Sequence, residues 1–303
     1  MTTPLCLSMI FVLMPGAWAN EQYHKECHAD DCQLSLVQTF KSWKHRRAGS
    51  GSPLEPTQAP PSHFWPHPRG RVGKYAQTYG MPADLNLSAA LAWSWTHPDG
   101  LDSLIWGSLI DDKKNLYVCG VATTGTIKLS PDGQELWRSR HGGENCVLDG
   151  PALYGMHQGV GLMFALDLET GMELWTRTIS PATGLQGDMV EAYRGVVIAG
   201  VGRIDFPGDG GNPSRQVMAV NSSTGDELWT FQPTCGLWNV DAMFPDTEST
   251  MIMDLCGGAY RLGLYNGSLL WSHSGSANSF TDGGATLDSE GNMYTCSSPE
   301  NSS

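Results

Sequence analysis

The chain is short of positive charge, and beyond its first residues it lacks any long apolar run. Eighteen Lys and Arg stand against 31 Asp and Glu, a formal net charge of −13 at pH 7. A nucleic-acid binder needs a basic face to meet phosphates, so that class is excluded. No run after the N-terminus approaches the roughly 20 apolar residues that a spanning helix requires. A phosphate-binding loop, a HExxH helix and a Ser/His/Asp order are also missing, as is any Cys-Cys pair. The histidines His63, His67, His97, His141 and His157 are scattered, and read as surface or turn residues.

What the chain does have is repetition. Ala165-Leu-Asp-Leu-Glu-Thr-Gly-Met-Glu-Leu-Trp175 returns in altered form as Lys128–Trp137, Ala219–Trp229 and Arg261–Trp271, at intervals of 38 to 54 residues. Each copy reads strand, tight turn, strand. The turns are Asp132-Gly133, Thr170-Gly171, Thr224-Gly225 and Asn266-Gly267, where glycine supplies the positive φ of a sharp hairpin. Tryptophan follows that glycine by four residues every time, and a weaker fifth copy ends at Trp95. A second shared stretch lies upstream, clearest at Trp106–Val118, Met243–Met253 and Gly283–Thr295. One unit is therefore two hairpins, or four short strands, the make-up of a propeller blade. A many-stranded β-sandwich is the competing fold, but gives no reason for Gly-x-x-x-Trp to recur in register.

These residues resemble the pyrrolo-quinoline quinone (PQQ) repeat family, the quinoprotein-alcohol-dehydrogenase-like β-propellers. Leu166-Asp167 and Thr170-Gly171 match its pattern closely, whereas Gly263 and Tyr265 depart from it. The resemblance covers about residues 81–303 and implies an all-β propeller of four-stranded antiparallel blades. It also implies that Trp137, Trp175, Trp229 and Trp271 dock between neighbouring blades. Four to five blades are present, fewer than this family's usual seven or eight, so the ring reads as incomplete within its last blade.

Residues 1–19 read as a signal peptide: an apolar core of about ten residues, Pro15-Gly16, then Ala17-Trp18-Ala19. The sequons at Asn86, Asn221, Asn266 and Asn301 agree with the secretory pathway and a secreted, luminal or periplasmic glycoprotein. Residues 20–80 carry eight Lys/Arg against five Asp/Glu and the Pro/Gly/Ser-rich run Gly49–Ser62, the composition of a flexible tether. The basic cluster Lys41–Arg47 reads as a solvated part of it, with an acidic partner or a membrane surface as the other reading. Asp209-Gly-Gly-Asn-Pro213 reads as a rim loop.

In the propeller reading, Cys119, Cys256 and Cys296 share one repeat position, while Cys146 and Cys235 sit in loops entering blades. Cys119–Cys146 and Cys235–Cys256 are then the expected disulfides. Cys27 and Cys32, near His24, read as a local disulfide, with a metal knuckle as the alternative. Aligning the units on their first strands places Asp149, Asp188, Asp241 and Asp282 immediately before those strands. This is either an acidic arc able to hold a cation such as Ca²⁺ or a set of turn caps.

The resemblance implies two functions. One is a binding or scaffold module without a complete catalytic site, like the propellers related to the outer-membrane assembly lipoprotein, which bind protein partners. The other is a quinoprotein-type oxidoreductase using PQQ and Ca²⁺, completed by further blades. Its calcium ligands and base have no counterparts that can be assigned residue by residue in this chain.

Overall fold

The computed structural model describes residues 63–67, 93–98, 108–120, 124–143, 145–157, 161–179, 186–202, 216–237, 241–275, 279–280, 285–288, 290–295 and 298–299. All belong to one compact unit, Leu34–Ser303. Among the described residues, three complete four-stranded antiparallel sheets follow one another. The first blade is β1 (Leu109–Ile110), β2 (Leu116–Cys119), β3 (Thr126–Leu129) and β4 (Glu135–Ser139). The second is β5 (Cys146–Asp149), β6 (Ala152–His157), β7 (Leu162–Asp167) and β8 (Glu173–Thr178). The third is β9 (Gln186–Tyr193), β10 (Val196–Gly202), β11 (Gln216–Asn221) and β12 (Glu227–Phe231).

The fourth blade shows three strands, β13 (Ser249–Met253), β14 (Ala259–Gly263) and β15 (Leu269–His273). Its first-strand position is held by Met243, which exchanges backbone hydrogen bonds with Met251 at 2.8 and 2.7 Å. Beyond it, β16 (Ser279–Phe280) pairs with β19 (Ser298–Pro299), and β17 (Ala285–Leu287) with β18 (Met293–Thr295).

The repeated motif builds the outer hairpin of each blade. In the second blade, Asp167 Oδ1 accepts from the amides of Glu169 and Thr170 and from the Thr170 hydroxyl, at 3.1, 2.8 and 2.8 Å. These donors stabilise the ionised form, and hold the Asp167 carboxyl below its ordinary pKa. Asn221 Oδ1 serves the third blade in the same way, towards Ser223 and Thr224. The fourth blade has Gly263 here, and the amide oxygen of Asn266 lies where a side chain at 263 would go. There the Asn266 oxygen accepts instead from the Ser268 amide at 3.0 Å.

The core is laid down between blades rather than inside any one of them. Met163, Ala165 and Trp175 of the second blade share one apolar cluster with Val190, Val197 and Val220 of the third. Tyr117 of the first blade packs with Phe164 and Leu166 of the second. A sheet that is apolar on both faces must be covered on both, and stacking successive blades does this.

Candidate functional site

The glycine of each turn is where the previous blade docks. Trp137 lies on Gly171, Trp175 on Gly225 and Trp229 on Gly267; a Cβ on these glycines would fall 2.6, 2.7 and 2.7 Å from indole carbon. Each indole also donates to a carbonyl in the turn that it covers. Trp137 Nε1 reaches Leu168 O at 3.1 Å, Trp175 Nε1 reaches Ser222 O at 2.9 Å, and Trp229 Nε1 reaches Leu264 O at 2.8 Å. Trp175 and Trp229 are buried, Trp137 and Trp271 half-buried. For the fifth copy the sequence reading needs a correction: Trp93, not Trp95, lies on Gly133 and donates to Pro131 O at 2.8 Å. The residues preceding the motif are too irregular in spacing for the shift of two to show in the sequence.

First strands of successive blades approach one another, β1 beside β5 and β5 beside β9. Along these inner strands lies a short stretch from the segment whose composition suggests a tether. Trp65 exchanges backbone hydrogen bonds with Ile110 at 2.8 Å each, and Pro66 O accepts from the Leu148 amide at 2.8 Å. His63 bonds Gly150 O at 2.8 Å, and the Lys114 ammonium stands 3.2 Å from the centre of the Phe64 ring. At its end, His67 Nε2 lies 3.1 Å from Glu191 Oε1 on β9 and 3.8 Å from Asp241 Oδ1 beside the Met243 strand position. The three side chains are 1%, 0% and 1% exposed. The histidines expected at the surface are thus corrected: His63, His67, His97 and His141 are all buried. The readable signal was the apolar cluster Phe64-Trp65-Pro66 between two histidines, which the flanking prolines obscured.

The three aspartates of this set that fall among the described residues do not share one position along their strands. Asp149 is the last residue of β5, Asp188 lies near the start of β9, and Asp241 precedes the Met243 bridge. The Asp188 side chain and the whole of Asp282 lie outside the described residues. Burial raises the Asp149 pKa, and nearby His63 partly opposes this. Asp241 gathers with His67 and Glu191, and these partners come from outside the proposed arc. The first hairpin turns carry different aspartates, Asp111 and Asp288. Each accepts at Oδ1 from an asparagine amide (Asn115 at 2.8 Å, Asn292 at 2.9 Å) and at Oδ2 from a tyrosine hydroxyl (Tyr117 at 3.0 Å, Tyr294 at 2.9 Å).

Cys235 and Cys256 form a disulfide. Asp254 organises the loops around it, accepting from the amides of Cys235, Cys256 and Gly258 and from the Tyr260 hydroxyl. The other expected pair is corrected: Cys119 and Cys146 are buried free thiols. Cys146 opens the inner strand β5 rather than sitting in a loop, and burial, reinforced by the Cys119 contact, pushes its thiol well up. Cys27, Cys32 and Cys296 lie outside the described residues, as do Asn86, Asn301, Lys41–Arg47 and Asp209–Pro213. Asn266 is exposed and Asn221 half-exposed.

A second polar constellation lies on the second blade. Glu173 Oε2 is 2.7 Å from His141 Nε2, whose Nδ1 is 2.8 Å from His157 Nε2, and both rings pack on Phe164. The carboxylate–imidazole–imidazole order suits holding a proton. Desolvation, then the charges of His141 and Arg140, lower the His157 pKa.

PQQ with Ca²⁺, which the oxidoreductase resemblance implies, does not fit the described residues of the inner face. Residues 63–67 lie along the inner strands, and the His67–Glu191–Asp241 set includes an imidazole nitrogen, whereas Ca²⁺ takes oxygen ligands.

Among the described residues no helix is long and apolar enough to cross a membrane. Comparison with known proteins agrees with the blade geometry. The quinohemoprotein alcohol dehydrogenase of Comamonas testosteroni superposes with a TM-score of 0.50 at 13% identity, over 62% of this chain and 38% of that one. A europium-containing methanol dehydrogenase gives 0.53 at 14% identity, over 69% and 49%. At such identities the likeness is one of fold, a β-propeller. In sequence, the outer membrane protein assembly factor BamB of Burkholderia pseudomallei (strain K96243) is 30% identical over 120 residues, covering 38% of this chain and 29% of that protein. The match thus spans under a third of the relative's length. The family described as outer membrane protein assembly factor BamB matches residues 123–298, and with its docking tryptophans in place the chain belongs to this PQQ-repeat family.

Proposed function

We propose that the chain is a PQQ-repeat propeller that works by binding other proteins, as a scaffold in the secretory pathway or periplasm, without a complete catalytic site of its own. One observation carries this reading. The residue before each docking tryptophan is an exposed leucine in four successive blades: Leu136 at 51%, Leu174 at 51%, Leu228 at 39% and Leu270 at 54%. They lie on β4, β8, β12 and β15, the last strand of each sheet, whose far edge pairs with no strand among the described residues. Single exposed apolar residues are ordinary, but a large one repeated in register along sheet edges makes a band suited to a partner. The family membership supports the same reading. The secretory assignment rests on residues 1–19 and on the exposed sequon at Asn266.

The test places a photo-crosslinking residue at Leu174 of the full chain in its native compartment. The expected result is a discrete adduct with another protein, abolished by Leu228→Glu while the circular dichroism is unchanged. The absence of any adduct, together with PQQ- and Ca²⁺-dependent oxidation of alcohols or aldoses by the purified protein, overturns the reading in favour of the quinoprotein alternative.

A further inference from the structure

We propose that His67, Glu191 and Asp241 form a binding site for a divalent transition metal of the zinc class, which clasps residues 63–67 to the first strands of the third and fourth blades. The three residues come from segments far apart in sequence: the stretch ending at His67, the inner strand β9, and the approach to the Met243 bridge. Their ligand atoms all lie within 4.8 Å of one another. His67 Nε2 stands 3.1 Å from Glu191 Oε1 and 3.8 Å from Asp241 Oδ1. Zinc–nitrogen and zinc–oxygen bonds of about 2.0–2.2 Å at tetrahedral angles put neighbouring ligand atoms roughly 3.4 Å apart, so these separations bracket what the ion needs.

The donor set chooses the metal. An imidazole nitrogen among two carboxylates suits zinc and its neighbours, whereas Ca²⁺ and Mg²⁺ take oxygen. Two ionised carboxylates and a neutral imidazole sum to the charge that one divalent cation cancels. Three protein ligands leave a fourth position for water. Side chains at most 1% exposed hold these donors out of bulk solvent, which distinguishes the group from an acidic surface cluster.

Among the described residues, the other buried group of ligand-type residues, Cys235, Asp254 and Cys256, is not a rival, because its sulfurs are joined in a disulfide and Asp254 receives backbone amides. A clasp at His67 also fits its setting. Residues 63–66 are already held along the first and second blades by the Trp65–Ile110 ladder and the Pro66–Leu148 bond. The metal extends that attachment to two further blades.

The test uses the full chain, stripped with a chelator and then titrated with Co²⁺ and Zn²⁺ in the absence of PQQ. The expected result is one metal per chain, a tetrahedral cobalt spectrum displaced by zinc, and one imidazole in the X-ray absorption spectrum. Glu191→Gln and Asp241→Asn should each lose stoichiometric binding. Limited proteolysis should cut near His67 faster after stripping than after zinc is restored. The wild-type measurements stand even where a variant fails to fold. Failure of the wild-type chain to take up either metal overturns the proposal, as does a bound metal without imidazole, a preference for Ca²⁺, or unchanged binding by a folded variant. None of these outcomes bears on the leucine band, so the protein-binding reading stands or falls separately.

Discussion

Trp175 of the second blade lies on Gly225 of the third, where a Cβ would fall 2.7 Å from its Cδ2 atom, and donates to Ser222 O at 2.9 Å in the same turn. A single glycine therefore meets two demands. It supplies a φ of +73° for the turn, and it leaves room for the neighbour's indole. Gly225→Ala meets both obstacles, left-handed strain and overpacking, and should cost about 2–4 kcal/mol. Chemical denaturation monitored by tryptophan fluorescence measures it, and a loss below ~1 kcal/mol would mean that the indole yields without resistance.

Truncating the other partner separates packing from hydrogen bonding. Trp175→Ala should cost about 3–5 kcal/mol through the cavity that it leaves. Trp175→Phe keeps most of the apolar contact and loses the indole donor, so it should cost only about 1–2 kcal/mol. Tyr154 also donates to Ser222 O, at 3.3 Å, so that carbonyl keeps one partner in either variant. Equal losses for the two substitutions would contradict a packing role.

His157 makes stability depend on pH. The folded pKa of His157 lies below its ordinary value of 6.5, through burial first and the charges of His141 and Arg140 next. The unfolded chain then binds a proton at a pH where the folded one does not. Stability from this group is fully present above about pH 6.5 and is lost as the pH falls through the lowered folded value. Denaturation midpoints should fall between pH 7 and pH 5, and His157→Gln should flatten the profile. An unchanged slope would remove His157 as the cause.

The cysteines should divide into two chemical classes. The Cys235–Cys256 bond closes a loop with a sequence separation of 21, so its loss should cost about 3 kcal/mol on chain-entropy grounds. Cys119 and Cys146 should resist alkylation in the native protein and react only after denaturation, because both thiols are buried. Peptide mapping reads both outcomes. Rapid native labelling of Cys146 would contradict its placement at the start of β5.

The outer hairpins were legible because each is made by neighbours in sequence. Asp167 caps amides two and three residues away, and Gly171 follows at once, so the chemistry of the turn is written locally. The recurring Trp then locates each blade, since a docking side chain must stand at a constant offset from the turn that positions it. The aspartate alignment is less legible for the complementary reason. Inner strands of two to eight residues begin and end at different points in each blade, so Asp149 closes β5 whereas Asp241 precedes the Met243 bridge.

Composition, repeat spacing and turn residues by themselves determined an all-β chain of stacked hairpin units, since these properties depend on contacts short in sequence. Only the tertiary structure decided that Trp93 rather than Trp95 docks on Gly133, and that Cys119 and Cys146 remain thiols while the expected Cys235–Cys256 pair forms. It alone brought His67 to Glu191 and Asp241. That meeting joins residues 124 and 174 positions apart, and no local pattern encodes it, because it arises only once successive blades have stacked and their inner strands have closed around residues 63–67.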